Sequence, residues 1–409
     1  MAVAESPLTP SRARLWLPCP EALPPRRSVV AAAMRSIASQ SDVLASFGEP
    51  ATRTDLRARL TDRDHEPGPG AATRLGPVKQ PGGRSDARRP PGRQAEAEQQ
   101  EHDRYFEVGR IGADAGDAAH ANMPHGDAAH GDAAWGFAAG LLLAHLSAYE
   151  NCLSMGVTLL DDAEWRQLFG GVALLLEVTG RPAAPGRGVS LAGPALAAPP
   201  RPLPAGWRDG YDPGERWLVG HRLFFTLIQG AIVGLNCFAS ASADQAMPEA
   251  EEGLALAGAF LRSSAAAMKL ASDFAPADYD ATVRPAMAPP KVRAGFSGLQ
   301  TRDHAYLVRR FGALKPVFTA LDGRAAAHEE FVESVVTAYA AHEFICERFR
   351  GGVLPSLRMA AASRGTTGQT GVQVIREMMR ARLALVAPAR AGQPASTARN
   401  GAVVPASHP

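Results

Sequence analysis

Apolar residues recur every three or four positions through most of the chain after residue 100, a spacing that predicts long helices. Strand-like alternation is scarce in the same region. About eight helices exceed a simple four-helix bundle and leave room to enclose a cofactor, so the sequence predicts an all-α, multi-helix domain. The predicted helices are Trp135–Met155, Asp162–Val178, Glu215–Ala241, Pro248–Phe274, Tyr306–Leu321, Ala325–Arg350, Leu354–Ala362 and Val372–Leu385.

The two ends of the chain have a different composition. Residues 66–100 are mostly Pro, Gly, Arg and Gln, and such a stretch buries too little apolar surface to offset its ordering entropy. Short helices near Ser28–Phe47 and Thr54–Thr61 have no evident packing partner. We therefore predict a mostly disordered, dispensable segment at 1–101, the helical domain at 102–388 and a disordered tail at 389–409.

Composition excludes several classes of protein. No run of 18 uncharged apolar residues occurs, so a membrane-spanning helix is not expected. The four cysteines lie far apart without a CxxC or CxxCH motif, which argues against a disulfide framework, a thiolate zinc site and covalently attached haem. Residues 101–409 hold 28 basic and 30 acidic residues, and thus offer no basic footprint for nucleic acid. A cytoplasmic protein is expected.

Three histidines lie on apolar faces of the predicted helices. His342 stands in the middle of an apolar stripe that includes Val335, Tyr339 and Phe349. Such an imidazole is either a core residue bonded to a backbone carbonyl or an axial ligand to haem iron, since a neutral imidazole in a dry pocket suits iron. His145 and His221 have similar apolar neighbours and leave the same two interpretations open.

An arginine and two loops of small residues complete the candidate site. Arg284 precedes a proline-rich stop, and a guanidinium held by so stiff a segment suits bidentate capture of a carboxylate; a surface ion pair is the alternative. Gly295–Gly298 is a loop that lets backbone approach a ligand closely. Arg364–Gly371 is either a helix connection or a lid that closes on a glycine hinge.

These features occur in an order that resembles a known family. Arg284, FSGLQT at 296–301, His342 and GTTGQTG at 365–371 follow one another as in the indoleamine and tryptophan 2,3-dioxygenase superfamily. Stretches such as AAWGFAAGLLLAHLSAYENC and AYAAHEFICERF are similar to the haem-dependent L-tyrosine 3-hydroxylases of actinobacterial antibiotic pathways, with the monodechloroaminopyrrolnitrin synthases as relatives. The chain departs from the superfamily in having GTTGQTG for GTGG, and no histidine aligns with the distal histidine of the tryptophan enzymes.

The resemblance implies a fold, a cofactor and a reaction. It implies an all-α domain enclosing non-covalent haem b, whose iron reacts with hydrogen peroxide to hydroxylate L-tyrosine at C3, giving L-DOPA for alkyl-proline units of antibiotics. Its partners would be an aromatic amino acid and peroxide, with neither nucleic acid nor membrane, and a homo-oligomer left open. The implied roles are iron ligand for His342, acid–base groups for His145 and His221, substrate contacts for Arg284, Ser297, Thr366 and Thr367, and haem contacts for Gly298 and Gly368.

Two other interpretations compete with tyrosine hydroxylation. One is a haem oxygenase of the same superfamily acting on tryptophan or indole derivatives, similar either to tryptophan 2,3-dioxygenase or to monodechloroaminopyrrolnitrin synthase. The other is a non-catalytic all-α binding protein whose histidines belong to the core. A Soret band in the purified protein separates haem enzymes from the binding protein, and the product distinguishes the two enzymes.

Overall fold

The computed structural model describes residues 14–61, 93–111, 127–180, 211–294, 296, 301–321, 326–349 and 370–387. Helices dominate these residues, which confirms the predicted all-α class. The long helices match the apolar periodicity to within a few residues at most ends. Their bounds are α5 Asp127–Met155, α6 Asp162–Gly180, α7 Pro213–Ala243, α8 Met247–Ala271, α11 Arg302–Ala320, α12 Ala326–Arg348 and α13 Gly371–Val386.

The remaining elements are short. Two strands, β1 Leu15–Pro18 and β2 Val108–Ile111, pair in parallel, with Leu15 opposite Val108. Between α8 and α11 the chain makes an irregular helical turn. The short elements are a 3-10 turn Pro20–Ala22, α1 Arg27–Ile37, α2 Gln40–Ser46, α3 Pro50–Thr61, α4 Arg93–Tyr105, α9 Pro276–Asp278, a π-helical turn Tyr279–Val283 and α10 Arg284–Ala286.

Helices α7 and α8 form the centre of the fold. Helix α7 begins sharply because the Asp212 carboxylate accepts hydrogen bonds from the backbone N–H groups of Gly214 and Glu215, with a proline at the first position. Four other long helices pack around this pair: α5 and α11 lie against α7, whereas α6 and α12 lie against α8. Helix α13 lies outside them, against α11 and α12. Helices α11 and α12 thus pack on different central helices, and they meet through the rings of Phe311 and Phe318 on α11 and Phe331 on α12.

By length and composition, α7 and α8 could each cross a membrane. Their most apolar windows are, however, 89% and 83% buried inside the protein. A helix that is apolar on all sides belongs either to a membrane or to the middle of a large core, and the burial here matches the core.

The N-terminal segment packs against the helical domain, and the prediction that it has no core to join is wrong for residues 15–61. Leu17, Met34, Phe47 and Leu56 are all buried in one cluster with the long helices. The Phe47 ring lies edge-on to Tyr149 and Phe169, on α5 and α6. Each N-terminal element is too short to bury a face by itself, so its burial depends on these tertiary contacts.

The predicted boundary at residue 102 is also wrong, because α4 runs from Arg93 to Tyr105 and β2 pairs with β1. Residues 62–92, the predicted helix Leu354–Ala362 and the predicted tail at 389–409 lie outside the described residues. The helical domain and the described N-terminal elements therefore share one core.

We expect Leu17→Ala to lower the free energy of unfolding by about 2–5 kcal/mol, because Leu17 is fully buried on β1 and the substitution leaves a cavity. Leu153→Ala is the matched control: Leu153 is 49% exposed on α5, and its loss should cost less than about 0.5 kcal/mol. Urea unfolding measures both. Equal small effects would show that β1 does not pack on the core in solution.

Candidate active site

A pocket lies among α7, α8, α11 and α12. It encloses about 480 Å³ of empty space, counting its open mouth. Its walls are almost entirely apolar, and two imidazoles face it. The lining residues are Phe224, Ile228, Leu261, Ser264, Met268, His304, Leu307, Phe311, Val335, Ala338, Tyr339 and His342.

His342 borders this pocket from α12. Val335, Ala338 and Tyr339 precede it on the same face of the helix, which agrees with the apolar stripe seen in the sequence. Burial, together with the smaller effects of the neighbouring His304 and His221, lowers the pKa of His342 to about 4. The imidazole is therefore neutral at physiological pH and keeps a lone pair available for a metal ion.

His304 faces the same pocket from the first turn of α11, and sequence reasoning missed it. The helix begins two residues earlier, where the Thr301 hydroxyl accepts a hydrogen bond from the His304 backbone N–H at 3.4 Å. The apolar repeat predicts a helix that begins only at Tyr306, and that helix does not include His304. The spacing of His304, Leu307 and Phe311 is the signal that could have identified it, because residues three and four apart share a helix face.

His221 lies beside the pocket on α7. Its Nδ1 is 2.8 Å from the Trp217 carbonyl oxygen, and donation there leaves Nε2 as the acceptor nitrogen. The ring stacks on Phe106 with centroids 4.9 Å apart. Burial lowers its pKa to about 4, and its charge would be felt at His342. The structure thus brings together His221, His304 and His342.

His145 lies elsewhere in the core. Its Nδ1 donates to the Leu141 carbonyl oxygen at 2.8 Å, and its ring packs 5.5 Å from Phe169 on α6. Among the described residues it does not line the pocket. These contacts match a core histidine bonded to a carbonyl, and the structure gives no support to an acid–base role for His145.

Arg284 lies at the end of the π-helical turn, a local irregularity that recurs at functional sites. It is partly buried beside Tyr279: burial raises the pKa of Tyr279 to about 12, and the Arg284 charge opposes that rise. Tyr279 stacks on Phe349 at 4.2 Å and lies 6.2 Å from the Trp217 ring, which in turn contacts His221. A chain of aromatic contacts therefore runs from Tyr279, the neighbour of Arg284, to His221 beside the pocket.

The remaining predicted site residues lie outside the described residues. They belong to the two loops of small residues that the sequence singled out. They are Ser297, Gly298, Thr366, Thr367 and Gly368.

Comparison with known proteins indicates one family. The family model described as SfmD 3-methyl-L-tyrosine peroxygenase matches residues 126–329, which run from α5 to the start of α12 and include His304. The 3-methyl-L-tyrosine peroxygenase of Streptomyces lavendulae is 29% identical over 225 residues, which is 55% of this chain and 58% of the relative. The matched region thus spans somewhat over half of the curated relative's length.

A solved structure shares the fold. The crystal structure of reduced SfmD, obtained by soaking with sodium hydrosulfite, superposes with a TM-score of 0.53 at 22% identity, covering 81% of this chain and 96% of that chain. The likeness extends well beyond the matched family region. The all-α architecture predicted from the sequence is therefore the architecture of a known enzyme structure.

The buried histidines predict a pH dependence of stability. His145 is fully buried with its pKa lowered to about 4 by burial, whereas the unfolded chain binds the same proton near pH 6.5. The unfolded state therefore takes up the proton first as pH falls, and stability decreases between about pH 6.5 and 4, by about 3 kcal/mol for this residue. Between pH 7 and pH 4, the free energy of unfolding of His145→Gln should therefore fall by about 3 kcal/mol less than that of wild type, as measured by urea unfolding of haem-free protein. An equal fall in both proteins would show that His145 is not buried in its neutral form.

Proposed function

We propose that this chain is a haem-dependent peroxygenase that hydroxylates the ring of L-tyrosine at C3, giving L-DOPA. One observation carries the proposal: an apolar pocket faced by two imidazoles. Three of its four helices, α7, α8 and α11, lie within the region that the peroxygenase family model matches. The named activity of the Streptomyces lavendulae relative, on a methylated tyrosine, supports a tyrosine-type substrate. Membership of the wider indoleamine and tryptophan 2,3-dioxygenase superfamily stays a prediction.

The pocket residues fit a haem. Apolar walls from Phe224, Ile228 and Met268 suit a flat hydrophobic cofactor, and the neutral imidazole of His342 suits its iron. His304, which faces the same pocket from α11, is the second candidate for the iron or its bound reactant. When bound, haem with hydrogen peroxide supplies the oxidising power for aromatic hydroxylation, which no side chain in the pocket has.

The protein's own part would be to bind and orient the amino acid. Arg284 carries a fixed positive charge that the carboxylate of a free amino acid can pair with, as a planar bidentate fork. The neutral His221, with Nε2 as acceptor, can hold or receive a proton from a phenol or a peroxide. Acid–base help of that kind contributes about 10²–10⁴-fold to a rate. The apolar walls exclude water from the reacting ring.

The attachment of the haem is decided by one measurement. The absence of CxxCH predicts non-covalent haem b. The structure adds one thiol to consider, Cys346, which lies one helical turn after His342 on α12 and packs against the core. Acidified organic solvent extracts non-covalent haem from the protein, whereas a thioether to Cys346 would retain it, and Cys346→Ser would then release it.

Purified full-length protein, supplied with haem during expression, tests the function. We expect a Soret band, a spectral change on adding L-tyrosine, and L-DOPA after addition of hydrogen peroxide. The competing reaction is tested in parallel with L-tryptophan and dioxygen on the ferrous protein. Ring-opened tryptophan product without L-DOPA would replace the proposal with a dioxygenase, and the lack of any Soret band would favour a binding protein.

We expect His342→Ala to fold yet lose most of its haem, because the substitution removes an iron ligand. Added imidazole should restore the Soret band. His328→Ala is the matched control, since His328 is a buried histidine on the same helix whose Nε2 bonds to the Val386 carbonyl oxygen at 2.7 Å. It should keep its haem. Full haem content with an unchanged spectrum in the His342→Ala protein would overturn the ligand assignment.

We expect Arg284→Ala to weaken L-tyrosine binding by about 30- to 150-fold, from the loss of a charge-assisted pair of about 2–3 kcal/mol, without changing haem content. Arg284→Lys should restore only part of the affinity. The control is Arg293→Ala. Arg293 lies on the same connecting segment as Arg284, but it pairs with Glu98 of α4 at 2.6 Å. Tyramine, which lacks the carboxylate, should bind wild type and Arg284→Ala equally well; a preference for wild type would contradict the role.

A further inference from the structure

A fully buried carboxylate stands next to His304 in the chain. Asp303 lies in the first turn of α11 with no exposed surface. Its Oδ1 accepts hydrogen bonds from Arg110 Nη1 at 3.1 Å and from Gln229 Nε2 at 2.8 Å, and its Oδ2 accepts from Arg110 Nη2 at 2.7 Å. The guanidinium thus grips both oxygens, the strongest and most directional arrangement available to this pair.

Arg110 connects this carboxylate to the N-terminal part of the chain. It lies on β2 with a side chain that is 5% exposed, and it also pairs with Asp103 at 2.8 Å. The Pro18 carbonyl oxygen, at the end of β1, accepts from Arg110 at 3.4 Å and from Gln229 at 2.9 Å. Four elements, β1, β2, α4 and α7, therefore converge on the first turn of α11.

Two residues that follow β1 contact α11 at two further points. Glu21 pairs with Arg309 at 2.9 Å, and the Cys19 sulfur is 3.6 Å from the Arg302 guanidinium. Successive residues of a helix point about 100° apart, so fixing the direction of one side chain fixes its neighbours. Holding Asp303 toward β2 therefore sets the rotation of α11 that turns His304, Leu307 and Phe311 to the pocket.

We propose that Asp303, gripped by Arg110 and Gln229, is the positioning residue that directs the His304 imidazole into the pocket. The inference rests on the proposed function, in which that pocket holds haem. It gives the N-terminal elements a part in the site: β1 and β2 do not touch the pocket, but they carry the groups that orient one of its two imidazoles. Groups that hydrogen-bond a metal-binding histidine change metal affinity by about 10–100-fold, and we take this range for Asp303, which acts on His304 through the first turn of α11.

The test uses full-length, haem-loaded Asp303→Asn, with His304→Ala as the reference for a pocket without that imidazole. We expect Asp303→Asn to shift the ferric absorption and electron paramagnetic resonance spectra toward those of His304→Ala, and haem affinity to fall by about 10–100-fold. The double variant should show no spectral change beyond His304→Ala alone, because Asp303 acts through His304. Arg110→Lys, which cannot reproduce the fork, should behave like Asp303→Asn.

Asp273→Asn is the matched control for a loss of stability without a change of position. Asp273 is a buried carboxylate whose Oδ2 accepts from the Thr158 backbone N–H at 2.9 Å and lies 3.9 Å from Arg216. We expect Asp273→Asn to lower the melting temperature and leave the spectra unchanged. Should Asp303→Asn fail to fold, Gln229→Leu keeps both charges, removes one donor to Oδ1 and decides the same question.

The outcomes separate the two proposals. Wild-type protein without haem would defeat the proposed function, and the positioning role with it. Haem in wild type, altered spectra in His304→Ala and unaltered spectra in both Asp303→Asn and Gln229→Leu would defeat the positioning role alone. Unaltered spectra in His304→Ala would also defeat the positioning role, because they would show that the His304 imidazole does not act on the haem.

Discussion

The close approach of α7 and α8 is the constraint on which the rest of the structure depends. A Cβ on Gly234 would lie 2.5 Å from the Ala257 nitrogen, and one on Gly253 would lie 2.6 Å from the Phe238 nitrogen, so only glycine permits this contact. Helices α5, α6, α11 and α12 then pack on one or other member of the pair. Helix α11 packs on α7, and α12 packs on α8. The distance between the two central helices therefore also sets the distance between His304 and His342 in the pocket that both line.

The pocket combines apolar walls with two imidazoles, and a third imidazole, that of His221, lies beside it. Burial keeps His221 and His342 neutral by lowering their pKa values to about 4, which costs stability below about pH 6.5 and preserves lone pairs for iron or a proton. The charged groups nearest in the chain to His304 do not line the pocket: Asp303 forms an ion pair with Arg110 outside the apolar wall. Such a pocket can bind a hydrophobic cofactor while the groups that orient its ligands stay fixed and paired.

The sequence was sufficient for the long helices that the structure describes and for the apolar face on which His342 lies, because a helix that buries one side repeats its apolar residues every three or four positions. It was insufficient for the N-terminal elements, where Leu17, Met34 and Leu56 belong to short segments whose burial comes from contacts far along the chain. His304 escaped notice because it lies in a first turn, ahead of the apolar repeat. The placing of His145 away from the pocket, and of Arg284 beside Tyr279, depends on tertiary packing that periodicity does not record.

A crystal structure of the protein purified with its own cofactor tests the central claim most directly. We predict haem in the pocket among α7, α8, α11 and α12, held by the His342 imidazole. Haem bound at another place, or a pocket that stays empty in protein shown to contain haem, would contradict it.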